Sequence, residues 1–191
     1  SDILGKYIAL ADWKIASILM DEYYCTAVAD LETKAIRTVK DNLKEIAAGE
    51  KDACEKLMYA LILSGLAMQM TGNSRPASGA EHHMVHLWDM EVVNGHLDAL
   101  HGEKVSAATM LVLLEYKKLA DAIRRGACRV HAFTDGDREL LQETFGRKGI
   151  LGALEKENTP ELLDDVSTET LSGALQEILK IIDLLPAVTD M

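Results

Sequence analysis

One stretch of the chain predicts both its fold and its chemistry: Ser78-Gly79-Ala80-Glu81-His82-His83-Met84-Val85-His86. Its first four residues match the capping box Ser-x-x-Glu, which predicts that a helix begins at Gly79 and carries the histidines that follow. Five of the six histidines of the chain lie in this helix or shortly after it, namely His82, His83, His86, His96 and His101. Because imidazole is a common metal ligand and a proton shuttle near neutral pH, this density indicates a chemical site.

Apolar residues recur at helical spacing on the N-terminal side of this stretch. The spacing predicts a long first helix from Ile3 to Ala29, and a second helix that is capped by Asp30 and ends at Gly49. A third helix is predicted from about Lys51 to Met70. It is apolar nearly all round, which predicts a central, buried position in the molecule.

The C-terminal side continues the helical pattern. After a break near Asn94-Gly95, a helix is predicted from about His101 to about Ala122. Beyond Gly126 the sequence is more polar, and the predicted helix signals are Asp135 or Asp137 as a cap, Thr159-Pro160 as a helix start, and an amphipathic helix from Thr168 to Leu184. No pair of strands is predicted. The expected fold is an all-α, multi-helix bundle that forms a single domain over residues 1–191, with the motifs in residues 1–122 and further helices in residues 123–191.

The bulk composition limits the class of protein. A net charge of −11 over 191 residues argues against nucleic-acid binding, which needs a positively charged face. A hydrophobic content of 48% suffices for a core, while 5% aromatic residues and 3 prolines favour helices. The 3 cysteines form no Cys-x-x-Cys pair, as is typical of reduced thiols in a cytoplasmic protein. The most apolar run, residues 57–70, is shorter than the ~20 residues of a membrane span.

The spacing of the histidines suggests a metal site. His82 and His86 are four residues apart and therefore share one helical face. His101 begins the next predicted helix, which can fold back beside His82. One carboxylate would complete three protein ligands and leave a coordination position open for water or substrate. Spacing alone leaves four candidates for that carboxylate: Glu81, Glu103, Asp89 and Asp2. The pattern is not His-Glu-x-x-His, since His83 occupies the glutamate position, so a metalloprotease is disfavoured.

Two stretches resemble the sn-glycerol-1-phosphate dehydrogenases: Asn73-Ser74-Arg75-Pro76-Ala77-Ser78-Gly79-Ala80-Glu81-His82 and His101-Gly102-Glu103-Lys104-Val105. That family belongs with the iron-containing alcohol dehydrogenases, glycerol dehydrogenase and dehydroquinate synthase. The first residues, Asp2-Ile3-Leu4-Gly5-Lys6-Tyr7, resemble a Gly-Asp segment of the family, with Ser1 in place of the glycine. The resemblance covers Asp2 to about Leu114. It implies the helical C-terminal domain of a dehydroquinate synthase-like enzyme, without the N-terminal α/β nucleotide-binding domain.

The resemblance also implies a set of site residues. Asp2, His82 and His101 would hold one divalent metal ion, either zinc, nickel or iron. His86 lies one helical turn after His82 and is interpreted as a catalytic residue that contacts the substrate or relays a proton. The alternative is that it only forms a hydrogen bond with a neighbouring side chain. Arg75 is a candidate for binding a phosphate through two parallel hydrogen bonds, or else braces its loop. Lys104 is a further phosphate candidate, or else a solvated cation. No residue of this chain is expected to bind the nucleotide.

The implied reaction is the NAD(P)H-dependent reduction of dihydroxyacetone phosphate to sn-glycerol 1-phosphate, a step of phospholipid biosynthesis. The expected partners are a small phosphorylated triose or polyol and the missing nucleotide-binding domain, without which the chain is expected to be inactive; a homo-oligomer is possible. Three alternatives stay open at this point: a non-catalytic helical module for metal binding or oligomerisation, a related polyol dehydrogenase such as glycerol dehydrogenase, and a hydrolase that uses a metal-activated water.

Overall fold

A computed structural model describes residues 2–91, 95–129, 138–146, 149–157 and 167–187. Within these ranges the regular elements are all helices: α1 Asp2–Leu19, α2 Thr26–Lys40, α3 Leu43–Ala47, α4 Lys51–Thr71, α5 Ala80–Asp89, α6 His101–Arg124, α7 Arg138–Phe145, α8 Leu151–Glu157 and α9 Thr168–Ile182. The all-α prediction is therefore confirmed. None of these helices combines the length and the apolar character that a bilayer-spanning segment requires. The division of the chain into domains stays a prediction.

Helix α1 is the central element of the bundle. It contacts α2, α5, α6 and α9, and side chains on several of its faces are fully buried. Ile3 packs with Ile36 of α2, Ile8 packs with Leu113 of α6, and Trp13 packs beside the start of α2. Because α1 is surrounded, its position fixes the placement of the helices that carry the histidines.

The first helix ends earlier than the sequence predicts. It stops at Leu19 instead of Ala29, and residues 20–25 are not helical. The indole Nε1–H of Trp13 donates to the carbonyl oxygen of Tyr23 at 2.8 Å, an acceptor that a continuous helix would use internally. Asp21 adopts a left-handed conformation with a φ of 51°, which breaks the helix. Asp30 consequently lies inside α2 and does not cap it.

The predicted second helix is divided into two. α2 ends at Lys40, and the short α3 follows from Leu43 to Ala47. Gly49 then adopts a φ of 75°, a conformation that costs glycine little, so the chain does turn at the predicted position.

The prediction of a central α4 is wrong, although its bounds agree with the sequence to within one residue. The residues that α4 buries are small: Ala53, Ala60, Ser64 and Ala67. Leu57, Leu61 and Leu63 are half-buried against the core cluster. The other face of α4 carries large apolar side chains with exposed fractions of 45–65%: Met58, Tyr59, Ile62, Leu66 and Met70. The small residues allow close packing of α4 on α2, and overall apolar content does not reveal which face does the packing.

The predicted capping box of Ser78 and Glu81 does not form at the start of α5. Helix α5 begins at Ala80, and the N-cap position is occupied by Gly79, which has no side chain to cap the helix. The cap comes from α1 instead, because the carboxylate Oδ2 of Asp12 accepts the backbone N–H of Ala80 at 2.7 Å. The predicted start of α6 at His101 is confirmed, and that helix runs two residues beyond Ala122.

The last helix packs against α1 and α6. Its N-cap is Ser167, whose hydroxyl accepts the backbone N–H of Thr170 at 3.1 Å, and the helix ends at Ile182 instead of Leu184. Ile178 and Ile182 contribute to a core cluster with Ile123 of α6. The predicted caps at Asp135, Asp137 and Thr159-Pro160 lie outside the described residues, as does His131.

Candidate metal centre

Two glycines allow three helices to meet at the candidate site. A Cβ atom on Gly5 of α1 would lie 2.9 Å from the side chain of Val105 in α6. A Cβ atom on Gly79 would lie 2.8 Å from the backbone of Ala9 in α1. The absence of these atoms lets α1 approach both α5 and α6, so the ends of the three helices converge.

Asp2, His82 and His101 come together at this convergence. Asp2 is the first residue of α1, His82 lies in the first turn of α5, and His101 is the first residue of α6. The Oδ1 atom of Asp2 lies 3.3 Å from Nε2 of His82 and 3.7 Å from Nε2 of His101. One donor atom from each residue lies within 4.8 Å of the other two. A carboxylate and two imidazoles at this separation are a suitable donor set for a divalent ion of the zinc type.

The exposure of the three side chains gives the site a closed and an open side. The exposed fraction is 11% for His82, 30% for Asp2 and 53% for His101. His82 is thus held inside the protein, and the site opens toward solvent at His101. This gradient leaves room for a further ligand on the His101 side.

Buried charged groups hold the far atoms of Asp2 and His82. The buried ammonium of Lys6 lies 3.4 Å from Oδ2 of Asp2 and donates to the carbonyl oxygen of Ala77 at 3.2 Å. The Nδ1–H of His82 donates to Oε1 of Glu81 at 2.7 Å. The hydrogen bonds to Asp2 and Glu81 raise the pKa of His82 to about 9. The hydrogen bond from His82, with help from Lys6, holds the pKa of Asp2 well below its usual range.

The other three candidate carboxylates have different partners. Glu81 contacts the opposite side of the His82 ring from Asp2. The carboxylate of Glu103 accepts the backbone N–H of Leu100 at 2.8 Å at the start of α6. Asp89 accepts from the ammonium of Lys104 at 2.7 Å, which holds the pKa of Asp89 below its usual value. Of the four, Asp2 is the carboxylate that faces both histidines.

His86 lies beside the three donors and is not part of their group. Its ring centroid is 6.2 Å from that of His82, edge to face, and the side chain is exposed. The two rings therefore share one face of α5, as the spacing predicts. His83 is exposed, and His96 is paired with Glu91 at 3.0 Å.

The two candidate phosphate-binding cations are each bonded to a carboxylate. The Nε–H of Arg75 donates to Oε1 of Glu22 at 2.7 Å, which connects the loop before α5 to the segment after α1. The two terminal nitrogens of the guanidinium take no part in that bond. Lys104 has an exposed side-chain fraction of 12% and contacts Asp89, so it is not the solvated cation that was the alternative expectation.

Sequence reasoning missed Lys6 and Asp12. The spacing of Lys6 from Asp2, one helical turn, could have indicated that pair. Asp12 accepts the Tyr116 hydroxyl as well as the Ala80 N–H, and burial raises its pKa while these two bonds oppose the rise. No sequence signal connects Asp12 with Tyr116, because they lie on different helices.

Curated proteins similar to this chain carry the name glycerol-1-phosphate dehydrogenase [NAD(P)+]. One from Geobacillus thermodenitrificans is 34% identical over 168 residues, covering 81% of this chain and 42% of the relative. One from Bacillus velezensis is 35% identical over 182 residues, covering 92% and 45%. One from Halalkalibacterium halodurans is 44% identical over 120 residues, covering 62% and 30%.

The chain therefore spans between about a third and a half of the length of these relatives. No protein-family model matches it. The similarity confirms the resemblance inferred from the sequence: the chain is homologous to part of the glycerol-1-phosphate dehydrogenases, which are NAD(P)-dependent oxidoreductases by name.

Proposed function

We propose that this chain is the metal- and substrate-binding half of an NAD(P)-dependent sn-glycerol-1-phosphate dehydrogenase. The observation that supports the proposal is the convergence of Asp2, His82 and His101 from three helices, in a chain homologous to dehydrogenases of that name. The substrate class is a small phosphorylated triose or polyol. The reaction is the reversible reduction of dihydroxyacetone phosphate to sn-glycerol 1-phosphate.

Asp2, His82 and His101 would hold one zinc, nickel or iron ion. When bound, such an ion supplies Lewis acidity, which polarises a ketone and stabilises negative charge on its oxygen. Lys6 and Glu81 hold the far atoms of Asp2 and His82, so these two donors are oriented from inside the protein. The exposed side of His101 is where a substrate oxygen has access to the site.

The remaining steps involve a proton and a phosphate. His86 is exposed on the same face of α5 as His82, and in this proposal it passes a proton to the oxygen that becomes the alcohol. The terminal nitrogens of Arg75 bind the substrate phosphate while its Nε–H stays on Glu22. Lys104 adds a second positive charge near α5 and α6. The hydride comes from NAD(P)H, which a nucleotide-binding portion outside this chain would hold.

A reconstituted enzyme tests the proposal. We would join the part of the Bacillus velezensis relative that this chain does not match to the present chain, and measure NADH and NADPH oxidation with dihydroxyacetone phosphate. We expect turnover that depends on a divalent metal, and none from the chain alone. A fusion that binds metal but oxidises neither nucleotide would favour the alternative of a non-catalytic metal-binding module.

A further inference from the structure

Glu81 is a fully buried carboxylate that contacts His82 on the side away from Asp2. Its exposed fraction is 0%, and it lies between α1 and α5. A Cβ atom on Gly5 would lie 3.3 Å from its Cγ, and one on Gly79 would lie 2.9 Å from its Oε2. Two glycines therefore leave the space that this side chain occupies. Burying a carboxylate is costly unless it is paired, so the interaction it makes needs an explanation.

One oxygen of Glu81 is held by two donors. Oε1 accepts from Nδ1 of His82 at 2.7 Å and from the backbone N–H of Gly79 at 3.2 Å, while Oε2 has no hydrogen-bond partner. The bond to Gly79 fixes Oε1 at the start of α5. The imidazole of His82 must then turn its Nδ1 toward this fixed oxygen, and its Nε2 points away from Glu81 toward Asp2.

We propose that Glu81 is a positioning residue for the metal centre, which keeps the proton of His82 on Nδ1 and directs the lone pair of Nε2 at the metal position. The proposal rests on the proposed function, because it presumes that His82 is a ligand. Carboxylates that accept from the second nitrogen of a histidine ligand fix the ring orientation and increase its basicity. Asp2 is held in the same manner, since Lys6 engages Oδ2 and leaves Oδ1 facing the histidines.

Zinc titration of the purified chain by calorimetry tests the proposal with two variants. Glu81→Leu removes the acceptor, and Glu81→Gln retains an acceptor oxygen without the charge. We expect the Kd for zinc to rise by about 100-fold in Glu81→Leu and by about 10-fold in Glu81→Gln, the range seen for partners of metal ligands. Glu32→Gln is the control for the loss of a buried carboxylate that is not hydrogen-bonded to a donor atom. Glu32 is equally buried and interacts with Asp2 and Lys6 only through their charges, so its Kd should rise less than that of Glu81→Gln.

Nitrogen chemical shifts of His82 give a readout that a merely structural role would not move. In the zinc-loaded wild-type chain we expect a protonated Nδ1 and a metal-bound Nε2, and in Glu81→Leu a mixture of the two arrangements. Unchanged nitrogen shifts in zinc-loaded Glu81→Leu, or unchanged zinc affinity in folded Glu81→Gln, would overturn the role of Glu81 alone. A wild-type chain that binds no zinc would overturn the proposed function and this inference with it.

Discussion

The Oδ1 atom of Asp2 lies 3.3 Å from the Nε2 atom of His82, although all of α2, α3 and α4 separate the two residues in the chain. The first residue of the central helix thus meets the first turn of α5. His101 completes the group from the exposed side, with its Nε2 3.7 Å from the same oxygen. The fold therefore assembles a donor set that no local segment contains.

His101→Ala should weaken zinc binding by orders of magnitude without unfolding the protein. One of the three proposed ligands is lost, and the side chain that is removed is 53% exposed and contributes little to the core. Calorimetry gives the affinity and circular dichroism gives the helical content. His96→Ala is the control, since that side chain is exposed and lies outside the donor group. Tight, stoichiometric zinc binding by His101→Ala would contradict the ligand assignment.

Arg75→Ala, in the reconstituted enzyme, should raise the KM for dihydroxyacetone phosphate far more than that for unphosphorylated dihydroxyacetone. The expected loss is about 10- to 100-fold for the phosphorylated substrate, because charge-assisted hydrogen bonds contribute about 1.5–3 kcal/mol. Glu22→Gln separates this role from loop bracing, since it weakens the contact at the Arg75 Nε and leaves the guanidinium in place. Equal effects of Arg75→Ala on both substrates would show that the arginine only braces its loop.

Glu32→Gln should make the folded chain less sensitive to rising pH. Glu32 is fully buried, and burial raises its pKa while the nearby Ser64 hydroxyl opposes the rise. The folded state therefore holds this proton more tightly than the unfolded state does. The protonated Glu32 carboxyl therefore contributes to the free energy of unfolding. This contribution is fully present below the ordinary glutamate pKa of about 4.3 and is lost as the pH rises through the higher pKa of the folded state.

Urea unfolding between pH 5 and pH 8 measures this effect as the free energy of unfolding. The glutamine variant cannot lose the proton, so its advantage over wild type should grow with pH. Asp30→Asn, an exposed acid on the same helix, should follow the wild-type pH dependence. Parallel curves for wild type and Glu32→Gln would show that Glu32 titrates alike in both states.

Substitutions on the two faces of α4 should differ in their effect on stability. Ala60 is 1% exposed in the cluster with Ile36, so Ala60→Leu should destabilise the protein by about 1–3 kcal/mol through overpacking. Ile62 is 58% exposed, so Ile62→Gln should change the free energy of unfolding by less than about 0.5 kcal/mol. Chemical denaturation of both variants checks this. A larger loss of stability in Ile62→Gln than in Ala60→Leu would instead support the buried α4 that the sequence predicts.

Gly79→Ala should destabilise the protein and weaken zinc binding together. The new methyl group would lie 2.6 Å from Oδ2 of Asp12 and 2.9 Å from Oε2 of Glu81, and therefore disturbs both the cap of α5 and the partner of His82. Gly65→Ala is the matched control inside α4, where a Cβ atom meets nothing within 4 Å; it should stabilise the protein by about 0.5–1 kcal/mol. Thermal unfolding and zinc calorimetry distinguish the two. A Gly79→Ala protein as stable as wild type would contradict the close approach of α1 and α5.

Local patterns predicted the elements whose ends are marked in the sequence. The bounds of α4, the start of α6 and the shared face of His82 and His86 follow from helical periodicity. Periodicity did not predict the end of α1. The Trp13 indole donates a hydrogen bond to the Tyr23 carbonyl oxygen, and no local sequence pattern indicates that contact. The choice among four carboxylates also needed the fold, since it depends on which helix end meets α5.

The large side chains that α4 turns outward have a consequence for work with this chain in solution. The exposed apolar side chains between Met58 and Met70 stay in contact with water, and exposed apolar patches of this kind promote aggregation. The turbidity of the chain should therefore rise with protein concentration. It should rise further when ammonium sulfate is added, because sulfate strengthens the association of apolar surfaces.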